Sequence, residues 1–319
     1  MNGRILIIGA NGQIGTELAA ELALRHGNDA VVTSDLASDG RLPQLAHEAL
    51  DVTDAAALAT VVKRHQVRQI YLLAAALSAT GEKHPQWAWN LNMVGLLNVL
   101  ELARSVHLDR VFWPSSIAAF GPTTPASAPQ STVMDPTTVY GISKLAGERW
   151  CAWYHANHGV DVRSLRYPGL ISWKTAPGGG TTDYAVDIFH QALKQGRYTC
   201  FLGPQTRLPM MYMPDAIRAT LELMDAPPAA IRQRGAYNLA GLSFTPTEIA
   251  QAIAQRLPGF ELSCEPDFRQ AIADSWPRTI DDSAARQDWG WSPRFDLKAL
   301  VDDMLGNLRQ NLQPVAQPA

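Results

Sequence analysis

Apolar residues in the first half of the chain follow two alternating patterns. Short runs such as Arg4-Ile5-Leu6-Ile7-Ile8 are continuously apolar, as expected for strands buried on both faces. Between them lie longer stretches with helical spacing, the first carrying Ile14, Leu18 and Leu22 on one face. The pattern predicts strands at residues 4–8, 30–35, 48–52, 70–76, 111–116 and 162–167. Helices are expected from about Gln13 to His26, from about Asp54, from about Trp87 to Val106, and over the stretch containing Tyr140. A run of βα units implies an α/β fold with a parallel, doubly wound Rossmann sheet and right-handed crossovers. One long irregular segment, residues 121–136 with four prolines, joins the fifth strand to the Tyr140 helix. Loops of this length often border sites.

Composition narrows the class. The chain has 319 residues, 46% hydrophobic and 18% charged, enough for two unequal lobes. A net charge of -3 leaves no basic footprint for nucleic acid or anionic lipid. The longest apolar run, residues 70–77, is too short to span a bilayer, and the N-terminus enters a strand without a recognisable signal peptide. Cys151, Cys200 and Cys264 are odd in number and widely spaced, which points to reduced thiols and a cytoplasmic protein.

The first strand runs directly into Gly9-Ala10-Asn11-Gly12-Gln13-Ile14-Gly15. Glycines between a strand and a helix form a dinucleotide signature. Gly9 permits the tight turn, Gly12 lets a pyrophosphate reach the backbone at the helix N-terminus, and Gly15 lets helix and strand pack closely. Asp35, 20 residues beyond Gly15 at the end of the second strand, is placed to accept hydrogen bonds from a ribose. Its carboxylate would repel a 2′-phosphate and no Arg or Lys flanks it, so NAD is expected rather than NADP. A simple turn carboxylate is the alternative for Asp35.

Tyr140 and Lys144 lie four residues apart, one turn along a helix that Thr137 or Thr138 can cap. A phenol titrates near pH ~10, and a neighbouring ammonium favours its phenolate, which makes Tyr140 a candidate base. Ser115 and Ser116 equally suit a strand end or a site.

The glycine spacing together with Tyr140 and Lys144 resembles the extended short-chain dehydrogenase/reductase family, which includes nucleotide-sugar epimerases. The resemblance implies a smaller C-terminal substrate domain, with residues 1–169 and about 207–240 in the NAD-binding domain and about 170–206 and 241–319 in the other. It implies cofactor contacts from Gly9, Asn11, Gly12, Gln13, Ile14, Gly15, Asp35, Asp51, Val52, Leu73, Ala74, Ala75, Asn92, Tyr140, Lys144, Tyr167 and Leu170. Its catalytic set falls on Ser116, Tyr140 and Lys144: Ser116 orients the substrate oxygen, Tyr140 takes the proton, and Lys144 lowers the tyrosine pKa and holds the nicotinamide ribose. Residues 237–240, 245–249 and 288–293 resemble the family's closing elements.

Two later stretches, residues 177–185 and 206–216, are similar to the short-chain L-threonine 3-dehydrogenases within that family. This implies NAD-dependent oxidation of L-threonine to 2-amino-3-oxobutanoate, with Ser78, Ser116, Tyr140, Thr182 and Asp183 at the substrate. An ammonium suits Asp183, and a carboxylate suits hydroxyl donors such as Ser78. Thr181, Thr182 and Asp183 also suit a cap for a helix at 184–194. A nucleotide-sugar epimerase or dehydratase and a non-catalytic NAD-sensing regulator are the competing readings; the intact Ser116, Tyr140 and Lys144 argue against the regulator. Cys151, His155 and His158 share a helical face, but no fourth zinc ligand is evident, and no metal is expected. That helix carries Trp150, Trp153 and Tyr154; in the resembled family it and the helix near Asn92 pair with their mates across a two-fold axis, so the resemblance implies a homodimer. The tail from about Gln310 is expected to lack structure.

Overall fold

The computed structural model describes residues 3–76 and 78–312, apart from the side chains of 78–80 and 312. The chain opens with β1 (Arg4–Ile8), α1 (Gln13–His26), β2 (Val31–Asp35), β3 (Ala46–Ala49), α2 (Ala55–His65) and β4 (Val67–Leu72). It continues through α3 (Ser78–Lys83), α4 (Pro85–Trp89), α5 (Gly95–Val106), β5 (Arg110–Phe112), β6 (Ser115–Ser116), β7 (Ser127–Ala128) and α6 (Val139–His158). Then come β8 (Val162–Arg163), β9 (Leu165–Tyr167), β10 (Gly169–Ile171), α7 (Tyr184–Gln195), β11 (Arg197–Cys200), β12 (Leu208–Tyr212), α8 (Met213–Asp225) and β13 (Tyr237–Asn238). β14 (Leu242–Phe244), α9 (Pro246–Ala254) and β15 (Glu261–Cys264) follow, and a helix over Leu297–Leu312 closes the described chain.

The main sheet is parallel, in the order β3-β2-β1-β4-β5-β8. Strand order reverses between β1 and β4, and ligands of such sheets bind in the crevice beyond the strand ends at that point. Both faces are covered, which explains the continuous apolarity of β1. Ile5 and Ile7 join a core with Leu18 and Leu22 of α1 and Ala216 of α8, while Leu6 and Ile8 join one with Leu58, Leu96 and Cys151 of α2, α5 and α6. A third core lies among α7, α9 and the C-terminal helix. β12 belongs to two cores at once: Leu208, Met210 and Tyr212 face the third, and Met211 faces the first.

Several boundaries differ from expectation. The third strand ends at Ala49: Leu50 N makes the last ladder bond, to Asp35 O, and Asp51 Oδ1 then accepts from both Thr53 N and Thr53 Oγ1, a local turn that competes with the ladder. The fourth ends at Leu72, where Leu73 N and Ala74 N both turn to Ile8 O. The fifth breaks at Trp113-Pro114, since proline has no N–H to give. The sixth divides at Ser164, and β9 passes to a small sheet between β6 and β13. The helix expected at 87–106 begins at Pro85 and contains a π-helical turn over Asn90–Val94. The terminal helix reaches Leu312, beyond the expected end of structure, and residues 313–319 lie outside the described chain. Among the described residues no helix is long and apolar enough to cross a membrane.

Candidate active site

The glycine turn is shaped by close backbone approach. A Cβ on Gly9 would stand 2.5 Å from Ala74 N, and one on Gly15 would stand 2.4 Å from Gly9 O. Gly9 has φ +83°, a conformation that disfavours any side chain. Gly12 is the N-cap of α1 and makes no side-chain bond, so the first-turn amides at Gln13 and Ile14 remain available to an anion. Beyond them lies a cleft of about 320 Å3 lined by Gly9, Asn11, Gly12, Asp35, Asp51, Val52, Leu73, Ala74 and Ala75. These residues, collected from four strand ends, fit a dinucleotide. They bring the glycine turn, the Asp35 carboxylate and apolar walls to one cleft. Asp35 also organises the turn, since Oδ2 accepts from Asn11 N (3.0 Å) and Oδ1 from Leu36 N (2.9 Å).

The second cluster stands at β6 and the start of α6. Thr138 caps that helix by accepting from Gly141 N at 3.0 Å. Ser116 lies close enough to the Tyr140 hydroxyl to pull its pKa down, and Ser116 Oγ accepts from Ala118 N at 3.1 Å. Lys144 is 3% exposed. Its Nζ donates to Pro114 O at 2.6 Å and lies 4.5 Å from the Trp113 ring centroid and 5.4 Å from that of Tyr140.

Burial dominates the charge states here. It pushes the Tyr140 phenol up to about 12 against the pull of Ser116. It pushes Lys144 down to about 7, opposed by the Cys151 and Glu148 side chains. In the chain alone, desolvation is thus the largest influence on the Tyr140 phenol, with Ser116 opposing it.

A stability prediction follows. Between pH about 7 and the ordinary lysine value of 10.5, the unfolded chain holds a proton that folded Lys144 has lost. Stability of the cofactor-free protein should thus rise with pH across that window, and Lys144→Met should remove this part of the rise. Denaturant unfolding of both proteins at about pH 6.5 and about pH 9 reads it. Equal pH dependence in the two would show that Lys144 keeps its proton.

Ser115 enters a buried network whose other members were not anticipated. Ser115 Oγ donates to Glu148 Oε1 at 2.6 Å, and Arg166 Nε and Nη2 donate to the same carboxylate at 2.9 and 2.8 Å. Both partners are almost fully buried. Arg166 Nη1 continues to Asn238 Oδ1 at 2.8 Å and Gln130 O at 3.1 Å. The only sequence signal was Glu148, one turn beyond Lys144; its partner lies on another strand.

Asn92 has a positioning role. Its Oδ1 accepts from Ala76 N (2.7 Å), and its Nδ2 donates to Ala76 O (3.3 Å) and Ser143 Oγ (3.0 Å). The π-turn thus ties the end of the cofactor cleft to the Tyr140 helix; such turns are frequent at functional sites. The Tyr167 hydroxyl bonds to Thr220 Oγ1 inside the first core, against which Leu170 also packs, so the Tyr167 hydroxyl points away from the cleft.

Thr182 packs beside Gly169, where a Cβ would fall 2.7 Å from Thr182 Cβ. Gly169 is two residues beyond Tyr167, the register partner of Ser116, which brings Thr182 toward the serine end of the cluster. Asp183 makes no side-chain cap on α7. Instead, Oδ2 accepts from Gly178 N at 2.6 Å and Gly180 N at 2.9 Å, folding the glycine run onto the carboxylate. Ser78 begins α3, but its side chain is outside the described residues. On α6, Cys151 is in the core, His155 Nδ1 bonds Val160 O at 3.0 Å, and His158 meets Trp153 edge-on and Tyr154 at a tilt.

Residues 5–240 match the NAD-dependent epimerase/dehydratase family. An uncharacterized epimerase/dehydratase of Staphylococcus haemolyticus is 46% identical over 315 residues, covering 97% of this chain and 99% of that protein. Among solved structures, the holo form of a GalE-like L-threonine dehydrogenase from Cupriavidus necator is 68% identical with TM-score 0.95, covering 96% of this chain and 99% of that one. The apo form of a monomeric L-threonine 3-dehydrogenase of metagenomic origin is 46% identical with TM-score 0.93, covering 97% and 100%.

Proposed function

The chain belongs to the NAD-dependent epimerase/dehydratase family, and on that premise we propose that it oxidises L-threonine at C3 to 2-amino-3-oxobutanoate, with Tyr140 as the base. The observation that carries this reading is the clustering of Ser116 and Tyr140 with buried Lys144, beside a glycine turn open to a dinucleotide. Similarity to the Cupriavidus necator enzyme supports threonine as the substrate. NAD, held by the Gly9–Gly15 turn, Asp35 and the 73–75 wall, supplies the hydride acceptor. Ser116 holds the substrate oxygen, Tyr140 accepts its proton at the phenolic oxygen, and Lys144 stabilises the phenolate. Asp183 receives the ammonium, with Thr182 beside it, and Ser78 serves the carboxylate.

The test is NADH absorbance on adding L-threonine to enzyme and NAD, with UDP-sugars as the comparison. Formation of NADH with threonine alone supports the reading; none with threonine overturns it and favours a nucleotide-sugar reaction. Asp183→Asn refines the assignment. The amide oxygen can still accept from Gly178 and Gly180, so the loop keeps its form while the charge is lost. The threonine KM should rise roughly tenfold with little change in NAD affinity. A change in thermal stability alone would make Asp183 a loop staple only.

We also assign a two-fold dimer to the face of α4 and α6, where Trp87, Trp89, Trp150 and Trp153 are 39–51% exposed. Sedimentation should give twice the chain mass, and a single-chain mass would match the monomeric relative instead. A cytosolic setting accords with the free thiols of Cys151, Cys200 and Cys264.

A further inference from the structure

Glu17 is the fifth residue of α1, just beyond the glycine turn, and its side chain is only 9% exposed. A carboxylate that deep needs partners, and both of its come from one place. Oε1 accepts from Ser172 Oγ at 2.5 Å, and Oε2 pairs with Lys174 Nζ at 3.3 Å. Ser172 is 1% exposed and its Oγ also accepts from Lys174 N at 3.1 Å, so the three residues form one small network. Ser172 and Lys174 begin the strap 172–183, which carries the glycine run, Thr182 and Asp183.

The strap is held mainly at its ends. Asp183 closes the far end on Gly178 and Gly180, and residues 175–177 make no hydrogen bond or ion pair among the described residues. Glu17 is the only described residue of α1 with a polar bond to it. The helix whose first-turn amides face a cofactor pyrophosphate is therefore bonded to the base of the strap.

We propose that Glu17 is a positioning residue that couples the cofactor helix to the substrate strap, so that NAD bound at the glycine turn holds Thr182 and Asp183 in place. This rests on the threonine reading for what the strap contacts, but the coupling itself can be read without turnover. Chymotrypsin cleavage after Trp173, followed by mass spectrometry, reports opening at the strap base. In the wild type, saturating NAD should slow this cut roughly fivefold or more. In Glu17→Ala, a change that suits a helix interior, NAD should no longer slow it. In the same variant the threonine KM should rise roughly tenfold while kcat and the melting temperature stay near wild type.

Ser172→Ala removes the partner hydroxyl and should act in the same direction. The double variant should be no worse than Glu17→Ala, because both changes break one link. Equal NAD protection in wild type and Glu17→Ala, no protection in the wild type, additive effects of the two substitutions, or an unchanged threonine KM would each overturn the coupling. A wild type that makes no NADH with threonine would remove the substrate reading and leave proteolysis to decide the coupling.

Discussion

Tyr140→Phe is expected to lower threonine turnover at least ~100-fold, the usual scale for loss of a general base. Phenylalanine keeps the ring beside Lys144 and the packing of α6, and removes only the oxygen beside Ser116. NAD affinity should survive, since the glycine turn, Asp35 and Lys144 are untouched. Steady-state NADH formation and a fluorescence titration with NAD separate the two quantities. Near-normal turnover would remove Tyr140 from its role, whereas parallel loss of NAD binding would point to a distorted cleft.

The second large effect concerns stability. Arg166→Met leaves Glu148 as a buried carboxylate with Ser115 as its one remaining hydrogen-bond donor among the described residues, and should cost about 3–5 kcal/mol of unfolding free energy. The double variant Glu148→Met with Arg166→Met should recover much of that loss, because it is the unpaired charge rather than the missing pair that is expensive. Denaturant unfolding of the single and double variants measures both. A single-variant loss below about 1 kcal/mol would mean that water or another donor reaches Glu148. Ser115 precedes Ser116 directly, so the double variant should also be slower if the pair aligns the site.

The chain's local patterns carried much of the fold. Continuous apolarity in β1, the glycine turn and helical spacing in α1 identified the parallel doubly wound sheet, because burial on both faces leaves no alternation. Asp54 and Thr138, as caps, show in the sequence where α2 and α6 begin. Strand ends were less legible. Pro114 could have revealed the break before Ser115, but the stop at Ala49 depends on where the neighbouring strand ends, at Asp35.

By itself, the sequence determined which groups exist and at what spacing: glycines for a close backbone approach, and Tyr140 one turn from Lys144. Spacing cannot determine what surrounds them. Only the tertiary structure decided that burial raises the Tyr140 phenol, that Glu148 meets Arg166 beneath Ser115, and that Asp183 turns back on its glycines rather than capping α7. Each depends on desolvation or on a partner distant in sequence, and those are properties of the packed chain.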